Sequence, residues 1–174
     1  MGCVVRALVR GMLAIAIAVT PAWADDDEPT VKGRPVDKGT IGVGIILGEP
    51  TGLCAKLYLK DDQALQIAAG SAFVGGGIQA HVDYVFHPWI LQDRESFVLP
   101  VYVGPGFRMI QYRDQGQNYV ATGLRGVIGM VFDFKTVPLD AFVEIAGVLE
   151  YRFKPNDKGF APALNAGAGV RYYF

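Results

Sequence analysis

The chain is poor in the residues that usually support catalysis, metal binding or covalent cross-links. It has 2 cysteines and 2 histidines among 174 residues. Although 51% of the residues are hydrophobic, no run after residue 20 approaches the ~20 apolar residues of a membrane-spanning helix. Its 16 basic residues are dispersed among 17 acidic ones, without the basic patch that typifies nucleic-acid binding. Helical membrane spans are therefore excluded, and no nucleic acid is expected as a partner.

Glycine, in contrast, is abundant. The 22 glycines follow no repeating triplet, and this favours short strands and tight turns over a helical bundle. The length predicts one domain.

Residues 1–24 have the features of a secretory signal peptide. Arg6 and Arg10 supply the positive start, Gly11–Val19 the apolar stretch, and Ala22-Trp23-Ala24 the small-residue cleavage site. The alternative, a membrane anchor, is disfavoured because the apolar stretch is about half the length that spans a bilayer. We therefore expect export and cleavage after Ala24.

The next segment, residues 25–39, is acidic and has little to bury, so we expect a disordered leader. Beyond the signal peptide only Cys54 remains. A single cysteine cannot form an intrachain disulfide, so export here implies no disulfide framework.

Residues 40–174 contain eight segments with the period-two alternation of β-strands. They are Thr40–Leu47, Leu53–Lys60, Gln63–Phe73, Ile78–His87, Phe97–Tyr112, Tyr119–Phe132, Leu139–Tyr151 and Ala161–Phe174. Turn residues separate them, as in the segment from Gly48 to Gly52. The longest internal connection is expected to be Pro88–Ser96.

The two faces of each segment differ in one consistent way. One face of Ala161–Phe174 carries no charge, whereas the other carries Gly167, Gly169 and Arg171. Across all eight segments the apolar face carries no charge, and every charge on a strand falls on the face that holds the glycines. An apolar outside and a crowded polar inside are typical of a membrane barrel, in which an even strand number leaves both chain ends on the periplasmic side. The sequence therefore predicts an all-β fold, an eight-stranded antiparallel up-and-down transmembrane β-barrel over residues 40–174.

Three stretches resemble a family of small bacterial outer-membrane barrel proteins. They are Gly42–Lys56 (GVGIILGEPTGLCAK), Leu99–Gly106 (LPVYVGPG) and Gly167–Phe174 (GAGVRYYF). The resemblance extends from about Thr40 to Phe174. It implies an eight-stranded outer-membrane barrel, similar in architecture to the membrane domains of the OmpA and OmpX type. It supplies no catalytic or ligand residues.

The end of the chain carries a second resemblance. Gly169, Tyr172 and Phe174 are similar to the C-terminal signature by which bacterial outer-membrane barrels are recognised for assembly. Gly167 departs from that signature, since its position is usually polar. The resemblance implies the bacterial outer membrane as the location, with outer-membrane lipid and the barrel assembly machinery as partners.

Candidate chemistry is sparse. His81, Asp83 and His87 share one strand face, but at ~3.3 Å per residue the two histidines lie about 20 Å apart, beyond the reach of one ion. A hydrolase needs a nucleophile beside a base, yet Ser71 faces away from His81 and Ser96 lies in a connection. We therefore expect no catalytic, cofactor or metal site.

Two other functions are disfavoured by geometry. Eight strands enclose an interior that side chains can fill, which argues against a pore. The external connections, 48–51, 74–77, 113–118 and 154–159, are short for a receptor. The sequence favours a non-enzymatic barrel with a structural or interaction role. The alternative is a lipid-modifying outer-membrane enzyme, because small barrels of this kind include acyltransferases and deacylases.

The inward-facing charges give the last prediction. They are Lys56, Asp83, Arg108, Arg125, Asp140, Glu144 and Arg171. Counting from the turns puts Arg125 opposite Ala146 and places Glu144 between Arg108 and Arg125, at the centre of an interior ion network. We expect Arg171 to contact Asp140, and Lys56 to contact Asp83. The alternative is a set of separate charges in a wet interior.

Overall fold

The computed structural model describes residues 39–73, 76–114, 117–154 and 157–174, all within one compact unit, Val31–Phe174. The eight strands are β1 (Ile41–Gly48), β2 (Thr51–Lys60), β3 (Gln63–Ser71), β4 (Ile78–Asp93), β5 (Phe97–Asp114), β6 (Gln117–Phe134), β7 (Leu139–Lys154) and β8 (Asp157–Tyr173). The predicted signal peptide, and the predicted leader apart from Gly39, lie outside the described residues. Over the described ranges no helix is long and apolar enough to cross a membrane.

The strands form one closed antiparallel ring. Each strand pairs with the next along the chain, and β1 pairs with β8. At this seam Val43 lies opposite Tyr172. The amide of Phe174 donates a hydrogen bond to the carbonyl of Ile41 at 2.9 Å. The last strand predicted from the sequence therefore closes the ring, and the predicted all-β, up-and-down order of eight strands is confirmed.

Side chains alternate between the outside and the interior of the ring, as the pleat of a strand requires. Along β7, Val143 and Ile145 are exposed on the outside, whereas Asp140, Phe142 and Glu144 are buried inside. This is the reverse of a soluble protein, in which the large apolar side chains are mostly inside.

Inward-facing glycines make room for large buried side chains. A Cβ atom at Gly129 would lie 2.4 Å from the hydroxyl of Tyr102, and one at Gly106 would lie 1.9 Å from Oδ1 of Asp83. Both distances are far below van der Waals contact. The glycine face of the sequence pattern is therefore where the interior is most crowded.

The strand boundaries correct one prediction. Pro88–Ser96 is not a long connection, because β4 continues to Asp93 and pairs with β5 across two register shifts. The pairing of β3 with β4 starts at Gln63 and Phe86. The His87 amide still donates to the carbonyl of Asp62 at 2.8 Å. After His87 no described strand pairs with β4 on this side, and such an edge tolerates the missing amide hydrogen of Pro88. The sequence predicts too short a β4, because a proline usually marks the end of a strand.

Candidate functional site

The centre of the interior is the guanidinium group of Arg125, on β6. Its Nε donates to both carboxylate oxygens of Asp83, each at 3.1 Å, and its Nη2 donates to Oε1 of Glu144 at 2.5 Å. Its Nη1 donates to the amide oxygen of Asn165 at 3.1 Å. The Arg125 side chain is fully buried. Asp83, Arg125 and Glu144 form the central cluster, in which charge-assisted hydrogen bonds join three strands and Asn165 adds a fourth.

Glu144 extends this cluster to two more strands. Its Oε2 accepts a hydrogen bond from the hydroxyl of Tyr102 at 2.7 Å and one from Nε2 of Gln66 at 3.2 Å. Tyr102 lies on β5 and Gln66 on β3. One connected set of buried polar groups therefore ties together all the strands from β3 to β8.

The structure places Glu144 against one of its two predicted arginines. Arg125 contacts Glu144, although Arg125 lies opposite Val148 and not opposite Ala146. The prediction that Arg108 flanks Glu144 is wrong, because Nη1 of Arg108 lies 3.4 Å from Oε2 of Glu150.

The position of Gly123 explains this pairing of Arg108. Gly123 is the register partner of Arg108 on one side and of Glu150 on the other. Because Gly123 has no side chain, the side chains of Arg108 and Glu150 can approach each other across its position.

The second group of charges, which we name the Glu150 cluster, was missed from the sequence. It contains Arg108, Tyr112, Glu150 and Arg152. Oε1 of Glu150 accepts hydrogen bonds from the Tyr112 hydroxyl and from Nε of Arg152, each at 2.8 Å. Glu150 stood on the charged face of its predicted segment, which was the available signal. Arg152 lay beyond the predicted end of that strand.

The third group pairs Arg171 with Asp140 where the sequence expected it. The two residues are direct register partners, and Nη2 of Arg171 lies 2.9 Å from Oδ2 of Asp140. Tyr173 donates to the same oxygen at 2.6 Å, and the guanidinium lies 4.1 Å from the centre of the Phe142 ring. This ion pair is therefore held by a hydroxyl donor and by a cation–π contact.

Lys56 has other partners than the predicted Asp83. Its Nζ lies 2.8 Å from Nε2 of His87 and sits over the rings of Tyr58 and Tyr102 at 4.9 and 5.0 Å. The carboxylate of Asp83 is engaged by Arg125 instead. The sequence predicts an inward-facing His87 but not this contact, because Lys56 lies on β2 and His87 on β4, which are not neighbours in the ring.

Within the described ranges, one set of side chains could hold a metal ion. His81, Asp83 and Glu144 each offer one ligand atom, and the three atoms lie within 4.8 Å of one another. The sequence places His87 on the same strand face as His81 and Asp83 but too far along the strand to share an ion with them, and in the structure His87 contacts Lys56. The third potential ligand, Glu144, comes from β7, which is not adjacent to β4 in the ring.

The serines remain apart from the buried histidine. Ser71 is exposed in β3 and Ser96 is exposed between β4 and β5, whereas His81 is buried. Neither serine thus has His81 as a neighbouring base.

Comparison of the chain with protein-family models, with curated proteins and with solved structures finds no match. The ring of eight antiparallel strands is compatible with the small-barrel family suggested by the sequence. The function has to be argued from the geometry.

Proposed function

We propose that this chain is a non-enzymatic transmembrane β-barrel of the bacterial outer membrane, with a structural or interaction role. The observation that carries the proposal is the inverted distribution of side chains around a closed ring. Every strand exposes a large apolar residue on its outward face: Ile45, Leu53, Ile67, Val82, Phe107, Leu124, Ile145 and Leu164. Leu124 is 72% exposed and Leu53 is 68% exposed. A lipid environment gives such a surface a solvent in which it is stable.

The aromatic residues support the same proposal. The end of the ring that holds the chain terminus exposes Phe86, Trp89, Phe132, Tyr172 and Phe174. The opposite end exposes Phe73, Phe153 and Phe160. Aromatic girdles at both interfaces are characteristic of outer-membrane barrels.

The height of the apolar band agrees with a bilayer. Phe160 and Tyr172 lie at opposite ends of β8. At ~3.3 Å per residue they are about 40 Å apart along the strand. A tilt of about 35–45° reduces this separation to roughly 28–33 Å along the ring axis, close to the ~25 Å apolar band and its flanking girdles.

The filled interior argues for a structural role over transport. Arg125, Glu144 and Tyr102 meet in the middle of the ring and are buried. An eight-stranded barrel leaves space only for such side chains. We therefore expect no appreciable ion conductance when the refolded protein is added to a planar lipid bilayer.

The direct test is electrophoretic. Protein refolded in detergent should migrate differently on a gel before and after boiling, as closed barrels do, and it should fractionate with outer membranes in the cell. A soluble protein of similar size is the control. Solubility without detergent, together with unchanged migration on boiling, would exclude a membrane barrel.

The alternative enzyme is tested separately. Lipid A from cells with and without the protein, compared by mass spectrometry, should be identical. Loss or gain of an acyl chain that depends on the protein would favour the acyltransferase or deacylase.

For assembly, we propose that Gly169, Tyr172 and Phe174 are recognised by the barrel assembly machinery. Tyr172 and Phe174 point outward, with their ring centres 5.0 Å apart in an edge-to-face contact. They form an aromatic pair at the end of the closing strand, where an assembly factor could bind it before the ring closes.

A further inference from the structure

We propose that His81, Asp83 and Glu144 bind one divalent transition-metal ion, of the Zn²⁺ class, inside the ring. Nε2 of His81 lies 3.6 Å from Oδ2 of Asp83 and 3.9 Å from Oε1 of Glu144. Both separations exceed hydrogen-bonding distance. The imidazole therefore faces two carboxylates without donating to them.

These separations are close to those between ligands of one zinc ion. Zinc takes nitrogen and oxygen ligands at ~2.0–2.2 Å in a tetrahedral arrangement, which places neighbouring ligand atoms roughly 3.4 Å apart. The two distances from His81 exceed this value by only a few tenths of an ångström. The carboxylate oxygens of Asp83 and Glu144 lie within 4.8 Å of each other, so the two carboxylates would have to approach by up to roughly 1.4 Å to complete the geometry.

Gln66 supplies an independent observation. Its side chain is 4% exposed, and its Nε2 donates to Glu144 at 3.2 Å, so the amide group lies at the cluster. Its Oε1 is buried and has no hydrogen-bond partner within the described part of the chain. A buried carbonyl oxygen without a donor is costly. Because Nε2 faces Glu144 in this structure, a half-turn of the amide group would present Oε1 to a cation beside Glu144 as a fourth ligand.

Arg125 affects both the affinity of the site for a metal ion and the kind of ion that the site prefers. It donates to Asp83 and Glu144, as outer hydrogen-bond partners commonly do for metal-binding carboxylates. With a neutral His81, these three charged groups leave one uncompensated negative charge. A bound divalent ion would change the net charge of the cluster from one negative to one positive charge. Electrostatic attraction between the ion and the cluster is therefore weak. The imidazole ligand then selects Zn²⁺ over Ca²⁺ or Mg²⁺.

The test uses metal capture during folding, because the site is buried in a closed ring. Tag-free chain is refolded into detergent with Zn²⁺, with Ca²⁺ or with a chelator, and bound metal is measured after gel filtration. We expect one zinc per chain and no retained calcium. Zinc should also raise the temperature at which the folded protein, seen on the gel without boiling, converts to the unfolded protein seen after boiling.

The sequence offers a matched control, since the chain has 2 histidines. His81→Gln should lose the zinc and its stabilising effect, whereas His87→Gln should keep both. Absence of retained zinc in the unmodified chain, or equal loss in the two variants, would overturn the proposal.

A spectroscopic measurement covers the case in which His81→Gln fails to refold. The unmodified chain and His87→Gln are refolded with Co²⁺ and with Cu²⁺. Four-coordinate Co²⁺ bands and imidazole nitrogen coupling to Cu²⁺ in both proteins would support the site. Spectra of the free hydrated ions would refute it.

Discussion

Replacing Glu144 by leucine tests the role of the central cluster most directly. The carboxylate accepts hydrogen bonds from Arg125, Tyr102 and Gln66. Leucine removes all of these acceptors and leaves a buried guanidinium and a buried hydroxyl with fewer partners. Breaking a buried pair in this way costs about 3–5 kcal/mol. Glu144→Gln keeps the shape and one acceptor oxygen, so we expect it to cost about 1.5–3 kcal/mol, the range for hydrogen bonds to charged groups.

The assay is urea unfolding of the refolded protein in detergent, with a chelator present so that metal binding makes no contribution. With a slope of about 2 kcal/mol/M, Glu144→Leu should lower the midpoint by roughly 2 M. Glu95→Gln, at an exposed position between β4 and β5, is the control and should leave the midpoint unchanged. An unchanged midpoint for Glu144→Leu would mean that solvated, independent charges fill the interior.

The other predictions use different parts of the ring. Deleting Phe174 should lower the outer-membrane level of the protein, measured by immunoblot of fractions; normal levels would contradict its role in assembly. Gly129→Ala should destabilise by about 1–3 kcal/mol through overpacking, whereas Gly126→Ala, whose Cβ would meet nothing within 4 Å, should not. A double-mutant cycle on Arg108 and Glu150 should give a coupling of about 0.5–3 kcal/mol; no coupling would remove Arg108 from the Glu150 cluster.

The alternation of residue types was sufficient to predict which side of the strand each residue faces. That property is local, because neighbouring side chains of any strand point to opposite faces. The alternation does not predict which side chains contact each other across the interior of the ring. Glu144 and His81 lie on strands that are not neighbours, and only closure of the ring brings them together. No periodicity in a single sequence contains that information.

Neutral polar residues were missed for a related reason. Gln66, Tyr102 and Asn165 all lie on the inward faces and all hydrogen-bond to the central cluster. Counting only charged residues left them out of the predicted network. A complete count of buried donors and acceptors would have included them, because a buried carboxylate requires hydrogen-bond donors.

The pairing register of β6 and β7 shows what the buried ion pairs contribute to the fold. Arg125 was predicted opposite Ala146 and lies opposite Val148, a slip of two residues. Such a slip keeps every side chain on its original face, so the apolar outer surface is indifferent to it. The buried ion pairs do depend on the register, because the register decides which charged side chains meet. We infer that these ion pairs select the observed register.

A cysteine pair at Gly126 and Gly147, which are register partners on the outer face, tests this inference in a Cys54→Ser background. Bridging by a short bis-thiol reagent should be efficient with Glu144 present and should fall when Glu144→Leu is added. Equal bridging in both would show that the turns alone set the register.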